Sequence, residues 1–258
     1  MLYGAAYNVY VRAVRLALAE KGVQYQLIEI DLGAEEGAPA NYLHHANFMR
    51  IPAFEHAGER LYEASAITRY VDEAFDGPAL KPVSPVERWR MRWWMRFFDA
   101  YFGPSLSMIG WSVFVGPSAR GRDPAELRAA IDRIPLESRR IAWRKALFNE
   151  FTEAELAESR RRVVFATHVL ERHLGAHTWI AGDTYSLGDI NGFNLGYALP
   201  LSQPTECNDE KTPHIMEWLR RIYERPAVRQ TWAKGRTALA GRIALLERTP
   251  APAPGGRP

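Results

Sequence analysis

The sequence predicts an α/β amino-terminal domain followed by an all-α carboxy-terminal domain. Three observations carry this reading. The opening residues, up to 75, alternate between short β-patterned and helix-patterned stretches. A Pro/Gly-rich break, DGPALKPVSP at 76–85, comes next, and every periodic stretch beyond it has helical spacing. The boundaries read as 1–76 for the first domain, 77–85 for the linker and 86–248 for the helical domain. An insertion lies near 116–151, and the Pro/Gly-rich tail at 249–258 is expected to be disordered.

Residues 1–3 can form a first strand. Residues 11–20 have helical spacing, with Val11, Val14 and Leu18 on one face and Arg12 and Arg15 on its flank; Gly22 fits the stop. YQLIEI at 25–30 alternates as a strand. Strand, helix and strand in so short a span make a βαβ unit, hence parallel pairing through a right-handed crossover. Short strands at 53–54 and 61–62 flank Gly58 as a hairpin. A helix from about Ala64 then buries Ile67, Tyr70, Val71 and Ala74.

Ser84 and Pro85 supply a cap and a first-turn proline for a long aromatic helix over 85–115, bent at Gly103 and Pro104. Its Trp89, Trp93, Trp94, Phe97, Phe98 and Tyr101 read as core and dimer interface. Val163, Thr167, Leu170 and Leu174 mark a further helix. Ser186, three residues before Asp189 and ahead of an apolar run, reads as a capping box, which makes Asp189 structural.

Composition narrows the function. Hydrophobic residues at 47% and charged ones at 24% are ordinary for a soluble globular chain. The 33 basic and 30 acidic residues nearly cancel, so nucleic acid is not an implied partner. No apolar run approaches the ~18 residues that span a membrane, and no secretory leader pattern follows Met1, so a cytoplasmic protein is expected. The lone Cys207 leaves no internal disulfide, CxxC chemistry or cysteine-rich zinc site.

The chemistry concentrates at FMRIPAFEHAGERLYEASAITRYVDEAF, 48–75. A proline at the mouth of a strand cannot donate to a ladder, so Pro52 belongs at the strand's first residue or in a turn. Glu63, Ala64 and Ser65 sit where the second strand of the hairpin becomes a helix, whose first N–H groups are free for an anion. An exposed peptide edge facing a helix start is a ready site for a small peptide carboxylate.

RIPAF followed by LYEASAITRYVDEAF resembles the glutathione-binding half of the cytosolic glutathione transferases. The resemblance implies a thioredoxin-like first domain and an all-helical second one, a homodimer, and glutathione as co-substrate. It implies a cis bond before Pro52, with Ile51 offering its N–H and C=O to the cysteinyl unit. Glu63 would accept from the γ-glutamyl ammonium, the Ala64 and Ser65 N–H groups would meet its carboxylate, and Arg50 or His45 would meet the glycyl carboxylate. Where the family usually has serine after the glutamate, this chain has Ala64, which removes one hydroxyl.

Alignment of VRLALAEKG with the family's first helix puts Asn8 where other members carry serine or cysteine. Its amide can donate to a thiolate but cannot be a nucleophile, and it equally fits a helix cap; the two roles are compatible. Tyr7 is the first rival donor, ahead of Tyr3 and Tyr10. The second substrate is expected between the domains, where pockets tend to form, with Tyr7, Tyr101, Met108, Trp111, Phe114 and Tyr197 as lining candidates.

In the second domain, YFGPSLSMIGW, RIPLESRRIAWRKA, YSLGDINGF and EKTPHIMEWLRRIYERPAV are similar to the bacterial glutathione-dependent β-etherases, which cleave lignin-derived β-aryl ethers. The expected reaction is thiolate attack on an aromatic electrophile, and no metal is needed. The alternatives are general detoxifying conjugation of halides or epoxides, and a non-catalytic ligand-binding protein of the same fold.

Overall fold

A computed structural model of the chain describes residues 1–30, 51–112, 116, 121–134, 136–233 and 246. The first unit carries β1 (Leu2–Tyr3), α1 (Val9–Glu20), β2 (Leu27–Ile28), β3 (Ala53–His56), β4 (Glu59–Tyr62) and α2 (Ala64–Ala74). The sheet order is β2-β1-β3-β4. β1 and β2 pair in parallel, whereas β1–β3 and β3–β4 are antiparallel, with Ala53 opposite Tyr62 and His56 opposite Glu59. This is the thioredoxin-like arrangement, and the peptide bond between Ile51 and Pro52 is cis.

α1 departs from the one-faced helix that its spacing suggests. All residues from 11 to 18 are buried, Arg12 and Arg15 included. The helix packs on α2 on one side and on helices of the second unit on the other, so no flank is left for solvent. Arg15 donates to the carbonyls of Ala6 at 3.0 Å and Thr231 at 2.7 Å, which satisfies the buried guanidinium. In α2, Ile67 and Val71 are buried as expected but Ala74 is exposed. The buried side runs instead through Ala64, Ile67, Thr68, Val71 and Asp72. Asp72 can lie inside because Lys21 Nζ reaches its Oδ1 at 3.3 Å and the Leu80 N–H donates to the same oxygen at 2.8 Å.

The second unit is helical: α3 (Pro85–Phe97), a π-helical segment (Phe98–Phe102), α4 (Gly103–Gly110), α5 (Pro124–Asp132), α6 (Glu137–Leu147), α7 (Glu153–Ala176), α8 (Leu187–Gly196), α9 (Leu199–Ser202), α10 (Pro213–Tyr223) and α11 (Pro226–Ala233). Ser84 stands at the cap position of α3 but makes no side-chain cap bond. The expected bend before Pro104 is a π segment, in which the Gly103 N–H reaches back five residues to the Phe98 carbonyl. Pro104 has no N–H to offer, and the wider turn absorbs that gap. The capping box of α8 forms. Asp189 is fully buried and accepts from the N–H groups of Ile180 and Ser186, both at 2.9 Å, and from Trp218 Nε1 at 2.9 Å.

The aromatic helix splits its residues between two duties. Trp94 and Phe98 enter the core, whereas Trp89 and Trp93 stay about half exposed. Trp93, Phe97 and Tyr101 stack in a row at ring separations of 5.5 and 5.4 Å, continued by Phe165 of α7, which is also exposed.

Candidate functional site

The loop from β1 to α1 is pinned from three directions. The Ala6 N–H donates to Glu29 Oε2 at 3.1 Å, the Ala6 carbonyl accepts from Arg15, and the Asn8 N–H donates to the Ala5 carbonyl at 3.0 Å. Asn8 is therefore fixed as the cap of α1. Its Oδ1 accepts from the Tyr10 N–H at 2.9 Å and the Val11 N–H at 3.2 Å. Because the amide is planar, committing its oxygen to the helix turns the NH₂ group away from it. Tyr7, next to it, stands well exposed.

Gly4 brings the second part of the site to the first. A side chain there would collide with Val11 Cγ2 and come within 3.4 Å of Ile51 Cβ, and the residue holds φ +154. Only glycine lets β1, the first turn of α1 and the loop at Ile51 meet this closely. Among the described residues the Ile51 peptide, at the strand's mouth, carries no hydrogen bond of its own.

The third part is the start of α2. Glu63 caps it with φ 66 and ψ 114, a region that a side chain rarely occupies and that costs on the order of 1–3 kcal/mol. Its carboxylate does not cap its own helix. The Glu63 carbonyl instead takes the Ala66 and Ile67 N–H groups, both at 2.9 Å, which leaves the Ala64 and Ser65 N–H groups facing out of the helix end.

A residue that the sequence did not single out closes this side. Asp99 of the π segment stands beside the Ser65 side chain. Its pKa is raised, first by desolvation among the surrounding atoms; the Ser65 hydroxyl acts against that rise, and the Glu63 carboxylate adds to it. One turn on, a Cβ at Gly103 would lie 2.7 Å from the Tyr10 hydroxyl, so the Tyr10 side chain of α1 reaches the bare backbone of α4. Asp99 and Gly103, four residues apart, thus face the first unit together.

The remaining candidates separate. Trp111 lies two turns beyond Gly103, half exposed and against Trp143 at 4.9 Å between rings. Met108 is half-buried and, five residues from Gly103, points off that side of α4. Tyr101 stands apart from the others. It belongs to the outward aromatic row, under the Arg162 guanidinium at 4.7 Å, because a position two residues from Gly103 falls on the opposite side of the helix. Tyr197 also stands apart. It is buried under Arg12 at 4.2 Å and against Trp232 at 4.9 Å, in the packing between α1, α8 and α11. Arg50, His45 and Phe114 lie outside the described residues.

The description "Glutathione S-transferase, N-terminal domain" matches residues 1–73, and "Glutathione S-transferase, C-terminal domain" matches 102–226. The chain belongs to the glutathione transferase family. Protein LigF of Sphingobium sp. (strain NBRC 103272 / SYK-6) is 29% identical to the transferase over 234 residues, covering 85% of this chain and 87% of its own. Glutathione S-transferase 3 of Zea mays is 26% identical over 234 residues, 90% of this chain and 92% of its own. The solved structure of β-etherase LigF superposes with a TM-score of 0.82 at 27% identity, over 91% of this chain and 98% of that one. Glutathione transferase F7 of Populus trichocarpa, at TM-score 0.70 and 24% identity over 91% and 97%, shares the fold. The transferase is accordingly an enzyme that uses glutathione as its co-substrate.

Proposed function

We propose that the transferase turns the glutathione thiolate on a β-aryl ether and releases a phenol, working in the cytoplasm as a homodimer. The sulfur attacks the ether-bearing carbon next to a ketone. A C–S bond forms, the C–O bond breaks, and its electron pair leaves on the phenolate, which takes a proton from solvent. A phenolate leaves without an obligatory general acid. The observation that carries this is the likeness along most of its length to Protein LigF, whose solved structure is called a β-etherase. The exposed rings of Trp89, Trp93 and Phe165 support the homodimer, since a large exposed aromatic surface marks an interaction site.

In this reading the site lies between domain 1–76 and domain 86–248. The Ile51 peptide, at the cis bond to Pro52, pairs with the cysteinyl backbone of glutathione. Glu63 takes the γ-glutamyl ammonium, and the Ala64 and Ser65 N–H groups take its carboxylate. Arg50 or His45 is left for the glycyl end. Asn8 NH₂ meets the sulfur, with Tyr7 beside it. A free thiol near pKa 8.5 is mostly protonated at neutral pH, and lowering that by two units takes about 2.7 kcal/mol. A helix start contributes about 0.3–1 kcal/mol and a hydrogen bond to the charged sulfur about 1.5–3 kcal/mol, so one donor on a capped helix is enough.

The test is incubation with glutathione and a guaiacyl β-ether that carries the α-ketone. Release of guaiacol together with the glutathione thioether supports the proposal. Conjugation of a chloronitrobenzene with no guaiacol released reduces it to general conjugation, and no heat of glutathione binding in calorimetry overturns it altogether.

A further inference from the structure

The insertion packs on its own start and on the residue that follows α4. Ala146 of α6 is buried, and its carbonyl would lie 2.9 Å from a Cβ at Gly116, so the helix is pressed against backbone that has no side chain to hold it off. Three residues earlier, on the same side of α6, Trp143 meets Trp111 with rings 4.9 Å apart and tilted by 48°. Both indoles are only half-buried, so the pair keeps an open aromatic face.

Where that face lies follows from the side of the helix that carries Asp99 and Gly103. Asp99 meets Ser65 at the start of α2, and Gly103 meets Tyr10 in the first turn of α1. Trp111 is eight residues past Gly103, about 12 Å further along the axis, and stands one turn above Ser107 on that flank. The order along the rod is therefore α2 start, α1 start, aromatic pair. A thiolate at the α1 start would have the pair on the side away from the γ-glutamyl end, where its electrophile must stand.

We propose that Trp143, carried in by the insertion, forms with Trp111 the wall on which the aromatic ring of the second substrate stacks, and so sets a preference for aromatic over aliphatic electrophiles. This rests on the proposed function above. Aromatic pairs contribute about 0.5–1.5 kcal/mol beyond burial, which is about a 2- to 12-fold effect.

The test compares the unaltered enzyme with Trp143→Leu and Trp143→Phe. It reads kcat/KM for a chloronitrobenzene, kcat/KM for an alkyl iodide, KM for glutathione, and calorimetric affinity for an unreactive two-ring aryl ketone. Trp143→Leu should lose about 2- to 12-fold on the aromatic electrophile and in affinity for the ketone. The alkyl iodide and the glutathione KM should stay unchanged, and Trp143→Phe should keep most of the aromatic preference while preserving the packing. Equal losses on both electrophiles, unchanged selectivity, or no ketone binding in the unaltered enzyme would overturn the assignment. If the unaltered enzyme turns over neither electrophile and releases no guaiacol from the β-ether, the proposed function fails, and the ketone affinities of the three proteins still decide the role of Trp143.

Discussion

Replacing Asn8 by aspartate separates its two jobs. Aspartate caps a helix about as well as asparagine, so the bonds from the Tyr10 and Val11 N–H groups, 2.9 and 3.2 Å in the structure, should survive. Stability should hold, because only the outward NH₂ is exchanged for an oxygen. A sulfur-directed donor worth about 1.5–3 kcal/mol is then lost, which at 1.36 kcal/mol per unit moves the bound thiol up by about one to two units. If the bound thiol titrates near 6.5, a rise to about 8 cuts the thiolate fraction at pH 7 from about three-quarters to about a tenth. The rate at neutral pH should fall about eightfold and recover as the pH is raised past 8. Ultraviolet absorbance of the bound thiolate, titrated against pH, gives the pKa directly, and urea unfolding checks the cap. Asn8→Ala should lose both the donor and about 1 kcal/mol of stability, whereas Asn8→Ser should keep much of each. An unchanged thiol pKa in Asn8→Asp would refute the assignment and pass the role to Tyr7 or to a backbone N–H.

Three further outcomes are expected. Glu63→Gln should raise the glutathione KM by about 10- to 100-fold, the loss of one charge-assisted bond, with kcat little changed in steady-state kinetics. Lys21→Met strands the buried Asp72 carboxylate, now paired at 3.3 Å, and should cost about 3–5 kcal/mol in urea unfolding. His173 is held down to about 4, first by desolvation beside Trp94, while its Nε2–H donates to the Ile180 carbonyl at 3.0 Å. The unfolded chain therefore takes up the proton first, and stability should fall as the pH drops from about 6.5 towards 4. His173→Gln should flatten that stretch of the stability–pH curve, as read by thermal unfolding across the range.

What the sequence made legible is what neighbouring residues decide. The proline at the mouth of β3, the three residues at the start of α2, the capping box at Ser186 and Asp189, and the buried stripe of α7 all depend on spacings within one or two turns. Asp99 escaped because nothing local marks it. It sits in a run of aromatics that reads as packing, and its part depends on a contact with Ser65, thirty-four positions away in the chain. The side on which Tyr101 stands is hidden for the same reason. Helical periodicity assigns sides only within a regular helix, and the π segment resets the count at that point. Arg12 and Arg15 look like flank residues because charge usually marks solvent. They are buried because a second unit, invisible to the spacing of α1, covers that flank.

That wider turn also explains how one rod serves two neighbours. Each π turn takes in about one residue more than an α turn, so whatever follows is rotated by roughly 100° against whatever precedes it. Upstream, the row of rings looks away from the molecule; downstream, the bare backbone at Gly103 looks in towards α1. Removing a single residue between 98 and 102 would leave each half of the rod folded and each surface chemically whole. The two would then be out of phase, and a chain that still assembles could no longer present Asp99 and Gly103 to the same partner helices.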